Sequence, residues 1–130
     1  MTNQLQNDGE LFTINNDLSG VTYDVGLYDD STDALADSDT YNAITTEPTG
    51  AAYVSQSQGV VTVQLDGNSD GQIVLDAVTF DVSDSTQVVD SVYVRDSASG
   101  DLLFTNSIGT QDLSTKDGSL EVSNIGFSLD

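Results

Sequence analysis

Alternation of apolar and polar residues dominates the chain from residue 21 onward. One face of VTYDVGLYDD carries four apolar side chains, those of Val21, Tyr23, Val25 and Leu27. This period of two is typical of a half-buried strand. Comparable stretches bounded by Gly, Asn, Asp or Ser follow, namely AAYVSQSQ, VVTVQL, QIVLDAVTFDV, QVVDSVYVRD, DLLFTNSI and SLEVSNIGFSLD. The pattern predicts an all-β fold, a single β-sandwich with jelly-roll-like connections.

Two stretches depart from this alternation. In NDGELFTINNDLSG, apolar residues recur at helical spacing between Asp8, a suitable N-cap, and Gly20. The spacing predicts a short helix over residues 8–18, within an N-terminal segment of residues 1–20. Residues 30–50 are polar, contain the only proline and predict a long loop. Because no linker or repeat divides the chain, residues 1–130 are expected to form one domain.

The charge of the chain changes the expected solvent. Asp and Glu number 22 against two basic residues, which gives a formal net charge of −20. Such a charge opposes compaction at ordinary salt, and disorder is the alternative. However, Leu, Ile, Val and Phe make up about 27% of the residues, above the roughly 20% typical of disordered chains. At molar salt the Debye length falls to about 3 Å, so we expect a folded protein from a halophilic source.

Missing residue types exclude several functions. The chain has no His and no Cys, which excludes Ser-His-Asp triads, thiol nucleophiles, zinc fingers and disulfides. Two cations cannot neutralise a run of phosphates, so nucleic-acid binding is not expected. No apolar run approaches the length of about 18 residues that a membrane span needs, and no signal-peptide pattern is present. A soluble, non-enzymatic protein is therefore predicted, without a required cofactor.

One loop has the oxygen spacing of a cation site. In LDGNSDGQIV, Asp66, Asn68 and Asp70 occupy positions 1, 3 and 5 of a calcium loop, and Gly71 occupies position 6. Position 12, which should be a bidentate Glu, is Ala77. The same residues also suit a hairpin turn, since Asp, Asn and Gly tolerate its backbone angles. Both readings stay open: a turn alone, or a turn that binds Ca²⁺ or another hard cation.

The segment from residue 51 to residue 65, AAYVSQSQGVVTVQL, contains no acidic residue. It is expected either to form the centre of a sheet or to face a partner subunit. Alternation predicts that Val54, Val61 and Val63 point inward. The candidate interface residues are then Tyr53, Gln56, Gln58 and Gln64. Arg95, the only arginine, is predicted to pair with a sheet carboxylate.

The order of four stretches resembles small structural proteins of tailed viruses, particularly those that infect halophilic archaea. These stretches are VTYDVGLYDDSTDALADSD, AITTEPTGAAYVSQ, VTFDVSDSTQVVDSVYVRDSASGDLLF and LSTKDGSLEVSNIGFSLD, and the resemblance covers residues 21–130. In that group a VGLY-like strand precedes a variable loop, a TEP-type segment and a Tyr strand, and a closing hairpin carries a DG turn. Residues of this chain at those places are Glu47, Pro48, Tyr53, Asp117 and Gly118.

The resemblance implies a β-sandwich module of the virion surface or tail, and it carries no catalytic residues. The expected role is therefore a capsid decoration or vertex-turret protein that binds other virion subunits, forms homo-oligomers and is located in the virion after assembly in the host cytoplasm. The alternatives are a tail or fibre component, or a receptor- or glycan-binding module. The chain has no Trp to stack on a sugar, which makes a glycan site the less favoured of these.

Overall fold

The computed structural model describes residues 6–9, 11, 13, 20–58 and 61–129. This part contains nine strands: β1 (Tyr23–Tyr28), β2 (Gln56–Gln58), β3 (Val61–Leu65), β4 (Gly71–Leu75), β5 (Val78–Asp81), β6 (Val88–Asp96), β7 (Leu102–Asp112), β8 (Ser119–Val122) and β9 (Ile125–Ser128). A single α-helical turn, α1 (Asp30–Asp33), and two 3-10 turns, Tyr41–Ala43 and Leu113–Thr115, lie between them.

The strands form three antiparallel sheets. The four-stranded sheet has the order β2-β1-β6-β7, the three-stranded sheet has the order β3-β4-β9, and β5 pairs with β8. The predicted all-β class with little helix is confirmed. The sandwich with jelly-roll-like connections stays a prediction.

One hydrophobic core joins the three sheets. It contains Tyr23 and Val25 from β1, Ile73 from β4, Phe80 from β5 and Ile125 from β9, all essentially inaccessible to solvent. The middle parts of the inner strands β1 and β6 are buried on both faces. The loop after β1 covers the face that points away from the core, where Tyr41 contacts the ring of Tyr93. This covered face explains why so polar a loop follows the first strand: it is a packing layer of the fold.

Several predicted element boundaries are wrong for identifiable reasons. QIVLDAVTFDV forms two strands in different sheets, because the chain breaks at the exposed pair Asp76 and Ala77. SLEVSNIGFSLD also forms two strands, and Asn124 makes the turn between them with a positive φ of 60°. In AAYVSQSQ only residues 56–58 are extended into a strand. The alternation of apolar and polar residues cannot reveal these changes of sheet, since the two strands of each split stretch both keep a period of two.

The predicted helix over residues 8–18 falls mostly outside the described residues. Within it, residues 8, 9, 11 and 13 are helical, as is residue 7 before it. No helix in the described part of the chain has both the length and the apolar character needed to span a membrane.

Candidate functional site

The outer face of the three-stranded sheet is the candidate functional site, and we call it the uncharged face. In β4 the residues alternate strictly, with Ile73 buried and its neighbours half-buried. The register of β3 and β9 against β4 then fixes which side chains point outward with them. The members of the uncharged face are Thr62, Gln64, Gln72, Val74, Gly126 and Ser128.

These six positions contrast with the rest of the surface. The outward positions of the β5–β8 pair include Asp81 and Glu121, which is typical of a chain with a net charge of −20. On the uncharged face a depression of about 650 Å³ lies over β3, β4 and β9, and its lining also includes Asn124 and Phe127. Carboxylates such as Asp66 and Asp76 stand at the ends of the strands. The centre of this face is therefore a place where an acidic neighbour meets little repulsion.

Two glutamine side chains on the uncharged face use only part of their hydrogen-bonding capacity within the described residues. The amide nitrogen of Gln64 donates to the amide oxygen of Gln72 across 3.3 Å. Among the described residues, this is the only side-chain hydrogen bond that either glutamine makes. The amide oxygen of Gln64 and the amide nitrogen of Gln72 therefore remain available to a partner.

The two edges of the three-stranded sheet differ. Asn106 of β7 accepts from the backbone nitrogen of Gly126 at 2.8 Å and donates to its carbonyl oxygen at 3.0 Å. One side chain thus satisfies both backbone groups of Gly126, and the edge of β9 is closed there. On the opposite edge, β3 pairs with β4 and with no other described strand. The edge of β3 is open.

The predicted cation loop forms the hairpin turn between β3 and β4. One carboxylate oxygen of Asp66 accepts from the backbone nitrogens of Asn68 at 2.8 Å and Asp70 at 3.0 Å. A hydrogen bond from Ser128 is the main reason why the pKa of Asp66 is lowered. Ser69 has a positive φ of 64°. No group of three or more acidic side chains in the described residues is close enough to hold a metal ion. The turn is thus observed, and cation binding by Asp66, Asn68 and Asp70 stays a prediction.

The predicted interface residues do not share one surface. Gln64 lies on the uncharged face, whereas Gln56 and Gln58 pair with Val25 and Tyr23, share their core side and are half-buried. Gln58 donates to the carbonyl oxygen of Asp76 at 3.0 Å.

The expected orientation of residues 53 and 54 is reversed. Val54 is 61% exposed, and Tyr53 stacks on Phe80 with 5.9 Å between ring centres. The reason is that the chain is still turning at these positions, since the backbone nitrogen of Tyr53 bonds to the carbonyl oxygen of Gly50. A period of two does not apply before the strand begins at Gln56.

A second polar arrangement lies under the loop after β1, and we call it the Glu47 cluster. The Glu47 carboxylate accepts hydrogen bonds from three tyrosine hydroxyls, those of Tyr41 at 2.5 Å, Tyr93 at 2.6 Å and Tyr53 at 2.9 Å. Tyr53 also accepts the backbone nitrogen of Leu27 at 2.9 Å. One loop carboxylate is therefore tied to β1 and β6 and to the chain entering β2.

Burial and the carboxylate act together on the hydroxyls of the Glu47 cluster. Burial first, and then Glu47, raise the pKa values of Tyr53 and Tyr93 well above the ordinary value of 10.0. The ring of Tyr93 also fills the space over Gly26, where a Cβ atom would overlap it. All three hydroxyls are protonated donors at neutral pH, so the cluster acts as a fixed anchor for the loop.

Arg95 lies beside the Glu47 cluster and has no acidic partner among the described residues. Its guanidinium carbon is 3.7 Å from the centre of the Tyr41 ring, a cation–π contact. Its Nε is buried and has no hydrogen-bond partner in the described part of the chain. The predicted pairing of Arg95 with a sheet carboxylate is therefore wrong: the tyrosine face takes the place of the carboxylate.

The sequence indicates two residues of the Glu47 cluster: Glu47 through the resemblance, and Tyr53 through the resemblance and as a candidate interface residue. The hydrogen bond from Tyr93 carries no local signal, because Tyr93 is 46 residues from Glu47. Tyr41 is six residues from Glu47, but the loop between them has no period that predicts a contact. Comparison with known proteins finds no matching family model, no matching curated protein and no matching solved structure. A proposal for the function therefore rests on the sequence resemblance and on the geometry of the chain itself.

Proposed function

We propose that the chain is a non-enzymatic virion structural protein of a tailed virus of halophilic archaea. Its role is that of a capsid decoration or vertex-turret module, which binds other virion subunits and is located in the particle. The virion assignment rests on the resemblance of residues 21–130, and the observation that supports binding to other subunits is the uncharged face on a chain with a net charge of −20. In a uniformly acidic protein, a surface without carboxylates is where another acidic subunit can be accommodated.

The neighbourhood of the uncharged face supports association. Leu65, at the end of β3, is 40% exposed, and Val74 is a half-buried apolar side chain within the face. Residues 51–65 were expected to be central in a sheet or to face a partner. Both of their strands, β2 and β3, are edge strands, so the partner contact is the reading that this topology favours.

The Glu47 cluster supports a presentation role for the loop after β1. A loop held by three tyrosine hydroxyls and by a contact of Asp90 with the backbone nitrogen of Asp30 at 2.7 Å keeps one shape. A pre-ordered loop loses little conformational entropy when a neighbouring subunit binds it. A structural protein whose copies must all dock in the same way benefits from such a loop.

Locating the protein is the first test of the proposal. Mass spectrometry of purified particles should detect the chain in stoichiometric amounts, and electron microscopy should place it on the capsid or at a vertex. Its absence from particles would refute the proposal, and a position in the tail would replace the decoration role with a tail role.

A charge substitution then tests the uncharged face. Thr62→Glu places a carboxylate on this face. Thr79→Glu is the control for added charge, because Thr79 is equally an exposed, outward position of a short strand, and it lies opposite Glu121, so any cost of a like-charge pair to folding falls on the control. Thr62→Glu should reduce incorporation into particles on the order of tenfold, since like charges at an interface oppose binding. Thr79→Glu should leave incorporation unchanged. Circular dichroism of both variants at molar salt should match the parent, and equal incorporation would show that this face is not the contact.

A further inference from the structure

We infer that two copies of the chain pair through β3, edge to edge and antiparallel, about a two-fold axis at Val63. This inference rests on the proposed function, because it names the first partner of the uncharged face. Its starting point is the open edge of β3, Val61–Leu65, which pairs only with β4 in the described part of the chain. An open edge strand without charge is a template for another strand.

The hydrogen bonds around β4 define which backbone groups of β3 point outward. The backbone nitrogen of Asp66 donates to the carbonyl oxygen of Asp70 at 2.8 Å, so residues 66 and 70 are a hydrogen-bonded pair. Such pairs alternate along an antiparallel ladder, which makes 64 with 72 and 62 with 74 the next ones. The N–H and C=O groups of residues 61, 63 and 65 therefore point away from β4.

The hydrogen bonds on the other side of β4, toward β9, independently give the same alternation of backbone directions. The backbone nitrogen of Leu129 donates to the carbonyl oxygen of Gly71 at 2.7 Å, so Gly71 points toward β9 and away from Leu65. Gly126 gives both of its backbone groups to Asn106, and its partner Val74 is therefore free to bond with β3. Both observations place the outward groups on the odd-numbered residues of β3.

These outward groups set the register of a second copy. An axis at Val63 pairs residue 61 with 65, 63 with 63 and 65 with 61, which uses every outward group of the strand in about six backbone hydrogen bonds. Any other centre leaves part of the strand unpaired. The two three-stranded sheets then become one six-stranded sheet, and the two uncharged faces become one continuous surface.

Charge favours a second copy as the partner. A basic partner would be attracted to the many carboxylates elsewhere on the surface, whereas an acidic partner, such as a second copy of this chain, meets less repulsion at a strand without them. In this register the Asp66 residues of the two copies are six residue steps apart, about 20 Å at roughly 3.4 Å per residue. This distance exceeds the Debye length of about 3 Å in 1 M salt, so the paired strands bring no carboxylates into opposition.

Cysteine cross-linking tests the register directly, because the parent chain has no cysteine. With the axis at Val63, Thr62 of one copy lies opposite Gln64 of the other as a non-hydrogen-bonded pair, the pair type with the shortest Cα separation. A mixture of Thr62→Cys and Gln64→Cys proteins should therefore oxidise to a mixed dimer several-fold faster than either variant alone. Thr79→Cys mixed with either variant is the control for random collision. Equal rates in all mixtures would overturn the inference.

A proline substitution tests the edge itself in sedimentation experiments at molar salt. The parent should sediment as a dimer. Val63→Pro removes an outward N–H without removing a bond to β4, and edge strands tolerate proline at such positions. We expect Val63→Pro to be monomeric, whereas Val63→Ala, which loses the same side-chain packing but keeps the N–H, should stay dimeric. If Val63→Pro does not fold, the cysteine mixtures decide the question.

The outcomes separate this inference from the proposed function. A parent that is monomeric in solution but is found in particles, with incorporation that Thr62→Glu still blocks, would overturn self-pairing and leave the proposed function standing. A dimeric parent with the expected cross-links that is absent from particles would refute the proposed function and leave the paired edge intact.

Discussion

The loop-covered face of the four-stranded sheet and the uncharged face of the three-stranded sheet use polar side chains in opposite ways. In the Glu47 cluster, one carboxylate accepts three tyrosine hydroxyls. On the uncharged face, two glutamines share one hydrogen bond of 3.3 Å and leave their other groups open. Polar groups that are fully satisfied fix a fold, whereas polar groups with spare capacity can serve a partner. The contrast separates polar groups that hold the fold, in the Glu47 cluster, from polar groups that are available to a partner, on the uncharged face.

The largest expected effect is that of salt, on which the charge contrast between the two faces depends. With a net charge of −20, the free energy of unfolding should be high above about 1 M salt and low near 0.1 M, because the Debye length grows from about 3 to 10 Å. Thermal unfolding in a series of KCl concentrations measures this effect. Equal midpoints at both salts would mean that carboxylate repulsion is unimportant, and the uncharged face would lose its significance.

Removing the centre of the Glu47 cluster should produce the next largest effect. Glu47→Ala leaves three tyrosine hydroxyls without their acceptor, and we expect a loss of about 3 kcal/mol in the free energy of unfolding. Glu121→Ala, on the exposed side of β8, is the matched control and should change it by less than about 0.5 kcal/mol. Denaturant unfolding at molar salt measures both. Similar losses in the two variants would show that the cluster is not a structural anchor.

Alkaline titration should also test whether the buried tyrosines, including those of the Glu47 cluster, hold the fold together. All five tyrosines have pKa values raised above 10.0, with burial as the main cause. A raised pKa in the folded state means that stability is retained below pH 10 and is lost as the pH rises further. Tyrosinate absorbance and the loss of circular dichroism should therefore share one midpoint. Tyrosines that ionise one by one while the circular dichroism is unchanged would contradict this prediction.

The smallest expected effect concerns the turn that borders the uncharged face. If the turn binds Ca²⁺, the parent should show a calcium-induced rise in thermal midpoint at constant ionic strength, and Asp66→Ala should abolish it. Asp66→Ala should also destabilise the hairpin slightly in the absence of calcium, because two backbone nitrogens lose their acceptor. A parent whose midpoint is the same with and without calcium would leave only the turn.

Local pattern predicted the strands well and their assembly poorly. The alternation in VTYDVGLYDD predicts β1, and QVVDSVYVRD predicts β6 almost to the residue, because both strands lie fully within their stretches. The split of QIVLDAVTFDV between two sheets is decided by which partner each half finds, and this information is not local. The sequence predicted one part of the uncharged face, since Gln64 stands in a segment without acidic residues. Thr62 lies in the same segment, and the members on β4 and β9 join these two only through the register of the sheet.

The closure of Gly126 by Asn106 has a consequence for the size of any assembly built on this sheet. A sheet that is open at both edges can add copies without limit and grows into a fibre. With β9 blocked at one point of its edge, the described part of the chain can extend this sheet only through β3, and in the proposed dimer the second copy occupies that edge. Asn106 therefore limits this sheet: if two copies pair through β3, extension of the three-stranded sheet stops at two copies.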